Sequence, residues 1–316
     1  MPSCISATDS KIINKNNCLY KFLGFIMMFR LRYPGIVALL FAFFALPAAA
    51  IEIDERILAV PVKVQGPDGQ ALAQDIVVTV FEARGRSSYP LLVLNHGRPA
   101  GDNRASLRRV RYSQAARFFA EAGFSVWVPT RIGYGASGTA IDAEYAGTCS
   151  NRNFARSFGV AADQVEQVIN TARREPRIDA RRIVVAGQSY GGATSIAVAA
   201  RKLPGVMAAI NFAGGGGGNP ETRPGEPCSA SISTATFGGY GHNTRLPTLW
   251  IYTENDRYFD PRHSQAWFAA FQANGGKGEF LLLPPFGDDG HRLFTRGFEI
   301  WAPLVQRFLR EQGFSR

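Results

Sequence analysis

Three residue types that together can run nucleophilic acyl transfer occur in this chain in one order. A serine lies in Gly187-Gln188-Ser189-Tyr190-Gly191-Gly192, an acid in Glu254-Asn255-Asp256, and a histidine in Asp288-Asp289-Gly290-His291. A serine hydroxyl is a weak nucleophile at neutral pH. It needs a base within hydrogen-bond reach, and the base needs an acid that orients it. Arg182-Ile183-Val184-Val185-Ala186 before the serine reads as a buried strand, and residues 193–200 read as a helix of small side chains. A strand, Gly-x-Ser-x-Gly and a helix give a sharp turn that lifts the hydroxyl above the sheet edge. The helix N-terminus then faces any oxyanion that develops there. Ser189 is therefore assigned as nucleophile.

The chain has four histidines, His96, His242, His263 and His291. His291 follows the last strand-like segment and precedes the last helical one, where a base can descend onto the serine turn, and is assigned that role. His263 starts a helical segment and reads as a solvated or capping residue. His242 falls in a long loop, and His96 belongs to a separate loop. The orienting acid should follow the penultimate strand, Leu249-Trp250-Ile251-Tyr252-Thr253, which points to Asp256, with Glu254 and Asp260 as alternatives. Two N–H donors are needed for the oxyanion. One is the N–H of Tyr190. The other is expected from Asn95-His96-Gly97-Arg98-Pro99, where Gly97 allows close approach, Pro99 has no N–H, and Arg98 is the best-placed donor. The Arg98 guanidinium can hold a substrate carboxylate or pair with a nearby acid, and the sequence leaves both open.

These residues need a scaffold. Short apolar runs at 91–94, 125–129, 206–212, 248–252 and 279–283 read as strands, and 57–64 and 74–81 as two more around Gly66-Pro67-Asp68-Gly69. Helical patterns run over 112–122, over Val165, Val168, Ile169 and Ala172 up to Pro176, over 261–273, and through Trp301, Leu304, Val305 and Phe308. Strands alternating with helices imply an α/β domain whose mostly parallel sheet is covered on both faces. Sites in such sheets lie beyond the carboxyl ends of the strands. Residues 131–158 and 213–246 are Gly-rich and polar, and little regular structure is expected in them. No spacing of a metal site is present.

The chain resembles the α/β-hydrolase superfamily, and within it the dienelactone-hydrolase-like and prolyl-oligopeptidase-like branch. The likeness is carried by His96-Gly97-Arg98-Pro99, Arg131-Ile132-Gly133-Tyr134-Gly135-Ala136-Ser137-Gly138, the Gly-Gln-Ser-Tyr-Gly-Gly turn and the Asp256 and His291 loops, over roughly residues 75–312. It implies hydrolysis of an ester or amide through an acyl-enzyme, with no cofactor and a small-molecule ester as substrate. Dienelactone hydrolases proper use cysteine where this chain has Ser189, and prolyl oligopeptidases carry a propeller for which there is no room. Both departures favour a serine esterase over a dienelactonase or peptidase. A catalytically inactive fold used for binding is the remaining alternative, and the intact Ser, Asp, His order argues against it.

The 316 residues divide into a leader, 1–50, and one catalytic domain, 51–316. Arg30 and Arg32, the apolar run 36–46 and Pro47-Ala48-Ala49-Ala50 make the three parts of a secretory signal peptide. The run is shorter than the ~20 residues of a membrane span, so no stable anchor is expected after cleavage. Residues 1–27 lie upstream of the leader proper, with Met27 and Met28 as alternative starts. The chain carries a net charge of +10, of which the leader holds five basic residues and one acidic. The remaining basic residues are scattered rather than gathered in a stripe, which argues against nucleic acid as a partner. Outside the leader stand two cysteines, Cys149 and Cys228. In an exported protein such a pair reads as a disulfide. The oligomeric state is not legible.

Overall fold

The computed structural model describes residues 51–101 and 103–314. The expected leader, residues 1–50 with its signal peptide, lies outside them. Strand β1 (Ile53–Gln65) pairs antiparallel with β2 (Ala71–Ala83) through a register from Ile53↔Ala83 to Gln65↔Ala71. Both strands outrun their apolar cores, because pairing continues through residues whose outward side chains face water. The sheet continues with β3 (Tyr89–Asn95), β4 (Ser125–Thr130), β7 (Ile178–Gln188), β8 (Val206–Phe212), β9 (Pro247–Thr253) and β10 (Lys277–Leu283). Its order is β1-β2-β4-β3-β7-β8-β9-β10. Pairing is antiparallel from β1 to β4 and parallel from β4 to β10.

Alternation along the central strands divides the core in two. Leu91, Val93, Ile183 and Val185 face one side, and Leu92, Leu94, Val184 and Ala186 the other. The first side is covered by α2 (Phe154–Ala172), α3 (Tyr190–Ala199), α4 (Ala230–Asn243) and α5 (Pro261–Ala273). The second is covered by α1 (Ser113–Glu121) and α7 (Phe298–Glu311), with Phe119 packed on Trp301. A short helix, α6 (Leu293–Arg296), leads into α7.

Both segments expected to be irregular contain structure. In 131–158, β5 (Gly147–Thr148) and β6 (Asn151–Arg152) form a small hairpin, and α2 starts at Phe154, well before Val165. The Asn153 side chain accepts from the N–H of Arg156 and caps α2, a local signal that the apolar periodicity did not carry. In 213–246, α4 spans fourteen residues. Its Gly, Ser and Thr are weak helix formers. They are used for close packing instead: a Cβ on Gly241 would stand 2.0 Å from the carbonyl oxygen of Phe271 on α5. The hydroxyls of Thr234 and Thr236 donate back to the carbonyls of Ala230 and Ile232, which satisfies them within the helix.

Cys149, in the turn between β5 and β6, is bonded to Cys228, two residues before α4, with Cα atoms 4.8 Å apart. The bond joins the two irregular segments over a separation of 79 residues. Among the described residues no helix is long and apolar enough to cross a membrane, and no cluster of His, Cys, Asp and Glu could hold a metal ion.

Candidate active site

The turn from β7 into α3 is held by close backbone contact. A Cβ on Gly187 would stand 2.2 Å from the carbonyl oxygen of Gly191, and one on Gly191 would stand 2.2 Å from that of Asn95. Only glycine fits either place. Between them Ser189 takes φ 57° and ψ −125°, a conformation that L-residues avoid. Its N–H donates to the Phe212 carbonyl at 2.8 Å, and its carbonyl accepts from Gly192 and Ala193. The strained residue is thus pinned on both sides, with its side chain free of the helix.

The Ser189 hydroxyl lies 2.9 Å from Nε2 of His291. Nδ1 of His291 lies 2.9 Å from Oδ2 and 3.1 Å from Oδ1 of Asp256. All three residues are buried. The Asp256 carboxylate also accepts from the N–H of Tyr258 at 2.7 Å and of Phe259 at 3.0 Å. It therefore places the Nδ1 proton and leaves Nε2 free to accept from the serine. Neither alternative acid takes this position: Asp260 caps α5 through the N–H of Arg262. The His291 loop is shaped by Asp289, which accepts from the N–H groups of His291 and Arg257. Asn255 holds the same loop through Phe286 and Gly287. Tyr258 stacks on the imidazole with centroids 4.0 Å apart and covers it on one side.

The loop after β3 lies against the serine turn. A Cβ on Gly97 would stand 3.1 Å from that of Ser189. The backbone N–H groups of Arg98 and Tyr190 donate to no acceptor among the described residues. His96 is fully buried. Its Nε2 accepts from the N–H of Arg131, and its Nδ1 sits 2.7 Å from the Gly97 carbonyl. Burial, and then the adjacent Arg131 charge, hold its pKa well below the usual histidine value, so it stays neutral. Arg131 is also fully buried. It donates to the His96 carbonyl and pairs with Glu144, which accepts in turn from Tyr134 and Gln164. This network ties the loop to the 131–144 segment, and its members' roles were not legible beyond the Arg-Ile-Gly-Tyr-Gly string.

Ser189 opens into a cavity of about 600 Å³. Its wall includes Arg98, Tyr145, Arg152, Tyr190, Arg223 and Tyr258. The Arg98 guanidinium is engaged: both terminal nitrogens donate to the Asp142 carboxylate, and one reaches the Tyr134 hydroxyl. Of the two roles left open for it, the geometry supplies the bracing one. His242 ends α4 at the surface, and His263 contacts Glu226; neither lines the cavity. Arg152 and Arg223 were not singled out in the sequence, because they lie 71 positions apart and are brought near by the disulfide.

This is the α/β-hydrolase fold. The family described as serine aminopeptidase, S33, matches residues 108–238. The acylaminoacyl peptidase of Pyrococcus horikoshii superposes over 87% of this chain with a TM-score of 0.59 at 14% identity; this chain spans 43% of that one. An acetyl xylan esterase from Paenibacillus sp. R4 superposes with a TM-score of 0.53 at 16% identity, covering 83% of this chain and 89% of that one. A protein assigned as a dienelactone hydrolase in Klebsiella pneumoniae subsp. pneumoniae MGH 78578 gives 0.51 at 16% identity, covering 82% and 99%. No curated protein sequence matches this chain.

Proposed function

We propose that the protein is an exported serine hydrolase that cleaves a small or medium carboxylic ester through an acyl-enzyme. The observation that carries the reading is the unbroken hydrogen-bond chain from Ser189 through His291 to Asp256 at the wall of the cavity. Ser189 Oγ attacks the ester carbonyl while His291 Nε2 takes its proton. The oxyanion of the tetrahedral intermediate faces the N–H groups of Tyr190 and Arg98. The intermediate collapses, and His291 returns the proton to the departing alcohol. Water then enters, gives a proton to His291 and attacks the acyl carbonyl, and a second collapse releases the acid and restores Ser189. Asp256 holds the imidazole in register and stabilises its protonated form.

The S33 description favours a second reading, an aminopeptidase with the same three residues. The cavity speaks against it. A free α-ammonium needs a carboxylate, and Asp142 and Glu144 are both occupied by arginines. Export is supported by the leader pattern of residues 1–50 and by the Cys149–Cys228 bond, which belongs to an oxidising compartment. Turnover of a 4-nitrophenyl acyl ester, set beside an aminoacyl 4-nitroanilide, tests the reading. Cleavage of the ester with labelling of Ser189 by a fluorophosphonate is expected, and anilide cleavage alone would overturn it.

A further inference from the structure

Four arginines and two carboxylates line the cavity beside Ser189. Asp142 is taken by Arg98, with Arg104 3.9 Å away, and Glu144 by Arg131 from behind. That leaves two arginines with no carboxylate within reach among the described residues. Arg152 is half-buried on β6. Among the described residues its guanidinium has one polar contact, with Sγ of Cys228 at 4.0 Å, and its buried Nε has no hydrogen-bond partner. Arg223 donates to the Gly217 carbonyl and touches Sγ of Cys149. A guanidinium keeps its charge, and taking it out of water without a counter-charge is costly. Burial lowers the proton affinity of Arg152, and the charges of Arg98 and Arg223 lower it further, so the cations are close enough to repel.

A disulfide and a pair of hydrogen bonds hold this arrangement in place. Cys149 stands three residues before Arg152, Cys228 five after Arg223, and the disulfide fixes one segment against the other. The Arg152 N–H is anchored on the Ser229 hydroxyl, and that hydroxyl donates to the Cys149 carbonyl. An anion between the two guanidiniums would supply the missing acceptors, and a carboxylate matches their forked donors.

We propose that Arg152 and Arg223 form an anionic-group subsite in the catalytic cavity, and that the ester substrate carries a carboxylate which they hold. The proposal rests on the hydrolase reading of the same cavity. It transfers to Arg152 and Arg223 the role that Arg98, occupied by Asp142, does not fill.

Two matched ester pairs test it: 4-acetoxybenzoate against its methyl ester, with the charge on the leaving group, and 4-nitrophenyl hydrogen adipate against 4-nitrophenyl methyl adipate, with the charge on the acyl group. In at least one pair kcat/KM should favour the anion by about tenfold or more, through KM, as expected for charged hydrogen bonds. Arg152→Gln and Arg223→Gln should each lower the anionic-to-neutral ratio by about tenfold. A ratio at or below one in both pairs overturns the subsite, as does a ratio unchanged in the double variant. Binding is read separately by calorimetric titration of Ser189→Ala with 4-hydroxybenzoate and with monomethyl adipate. At least one should bind, and lose its binding when Arg152 and Arg223 are both replaced by Gln. If the wild type cleaves none of the esters, the esterase reading fails and the titration alone decides the subsite: no binding of either probe sinks it.

Discussion

At the scale of single residues, Ser189, the proposed nucleophile, sits in a strained conformation. Its φ of 57° and ψ of −125° carry a cost on the order of 1–3 kcal/mol, which the bonds to Phe212 and Gly192 hold in place. Ser189→Ala and His291→Ala should each cut ester turnover by at least about a thousandfold, with the double variant little worse, because the residues act as one unit. Asp256→Asn should cost somewhat less, since the oriented imidazole is impaired rather than removed. Ser189→Gly, equally inactive, should be more stable than Ser189→Ala by about 1 kcal/mol in urea melts, although glycine usually destabilises. The reverse order would mean that the turn stores no strain. Arg98 separates side chain from backbone. Arg98→Ala keeps the N–H but removes the brace on Asp142, so turnover of a neutral ester should fall. Unchanged turnover of the neutral ester would show that the guanidinium does not brace the loop.

At the scale of elements, the residues proposed for catalysis are supplied by loops at the carboxyl ends of β3, β7, β9 and β10, and the disulfide joins two segments that wall the cavity. The chain-entropy estimate for a loop of this length is on the order of 4 kcal/mol. Cys149→Ser with Cys228→Ser should therefore lower the urea midpoint strongly, and reductant should reproduce that loss in the wild type and add nothing in the variant. The same loss without reductant sensitivity would place the effect in the serine side chains rather than the bond. The serine turn and the His291 loop were legible because glycine placement and chain order are local signals. The buried strands were legible because a strand covered on both faces reads as a continuous apolar run. Helix α4 was not, since its Gly, Ser and Thr serve close packing on α5, a tertiary demand that overrides propensity. The Arg131–Glu144–Tyr134 network and the pair Arg152 and Arg223 were not legible either. Their meaning lies in which charges meet, and that depends on a fold and a disulfide that bring distant positions together.

At the scale of the whole molecule, stability is coupled to pH through a histidine outside the catalytic chain. His96 is fully buried at the end of β3, accepts from the N–H of Arg131, and faces the Arg131 cation. The groups around it add no compensating negative charge: Glu144 is committed to Arg131, Tyr134 is neutral, and Gly97 offers only its carbonyl. The folded state therefore holds His96 neutral well below the ordinary pKa near 6.5, whereas the unfolded chain binds a proton there. Below about pH 6.5 the unfolded state holds the extra proton, so stability falls with pH, by up to about 1.4 kcal/mol per unit from this one site. Above that pH the two states bind equally and the contribution is flat. Carboxylates titrate lower, so the window between pH 6.5 and 5 reports mainly on histidines. His96→Gln keeps an acceptor for the Arg131 N–H but cannot titrate. Its urea stability is expected to be lower than wild type at pH 7.5 and to lose distinctly less between pH 6.5 and 5. Parallel loss in the two proteins over that range would show that His96 takes up its proton without unfolding the loop that carries the Arg98 N–H.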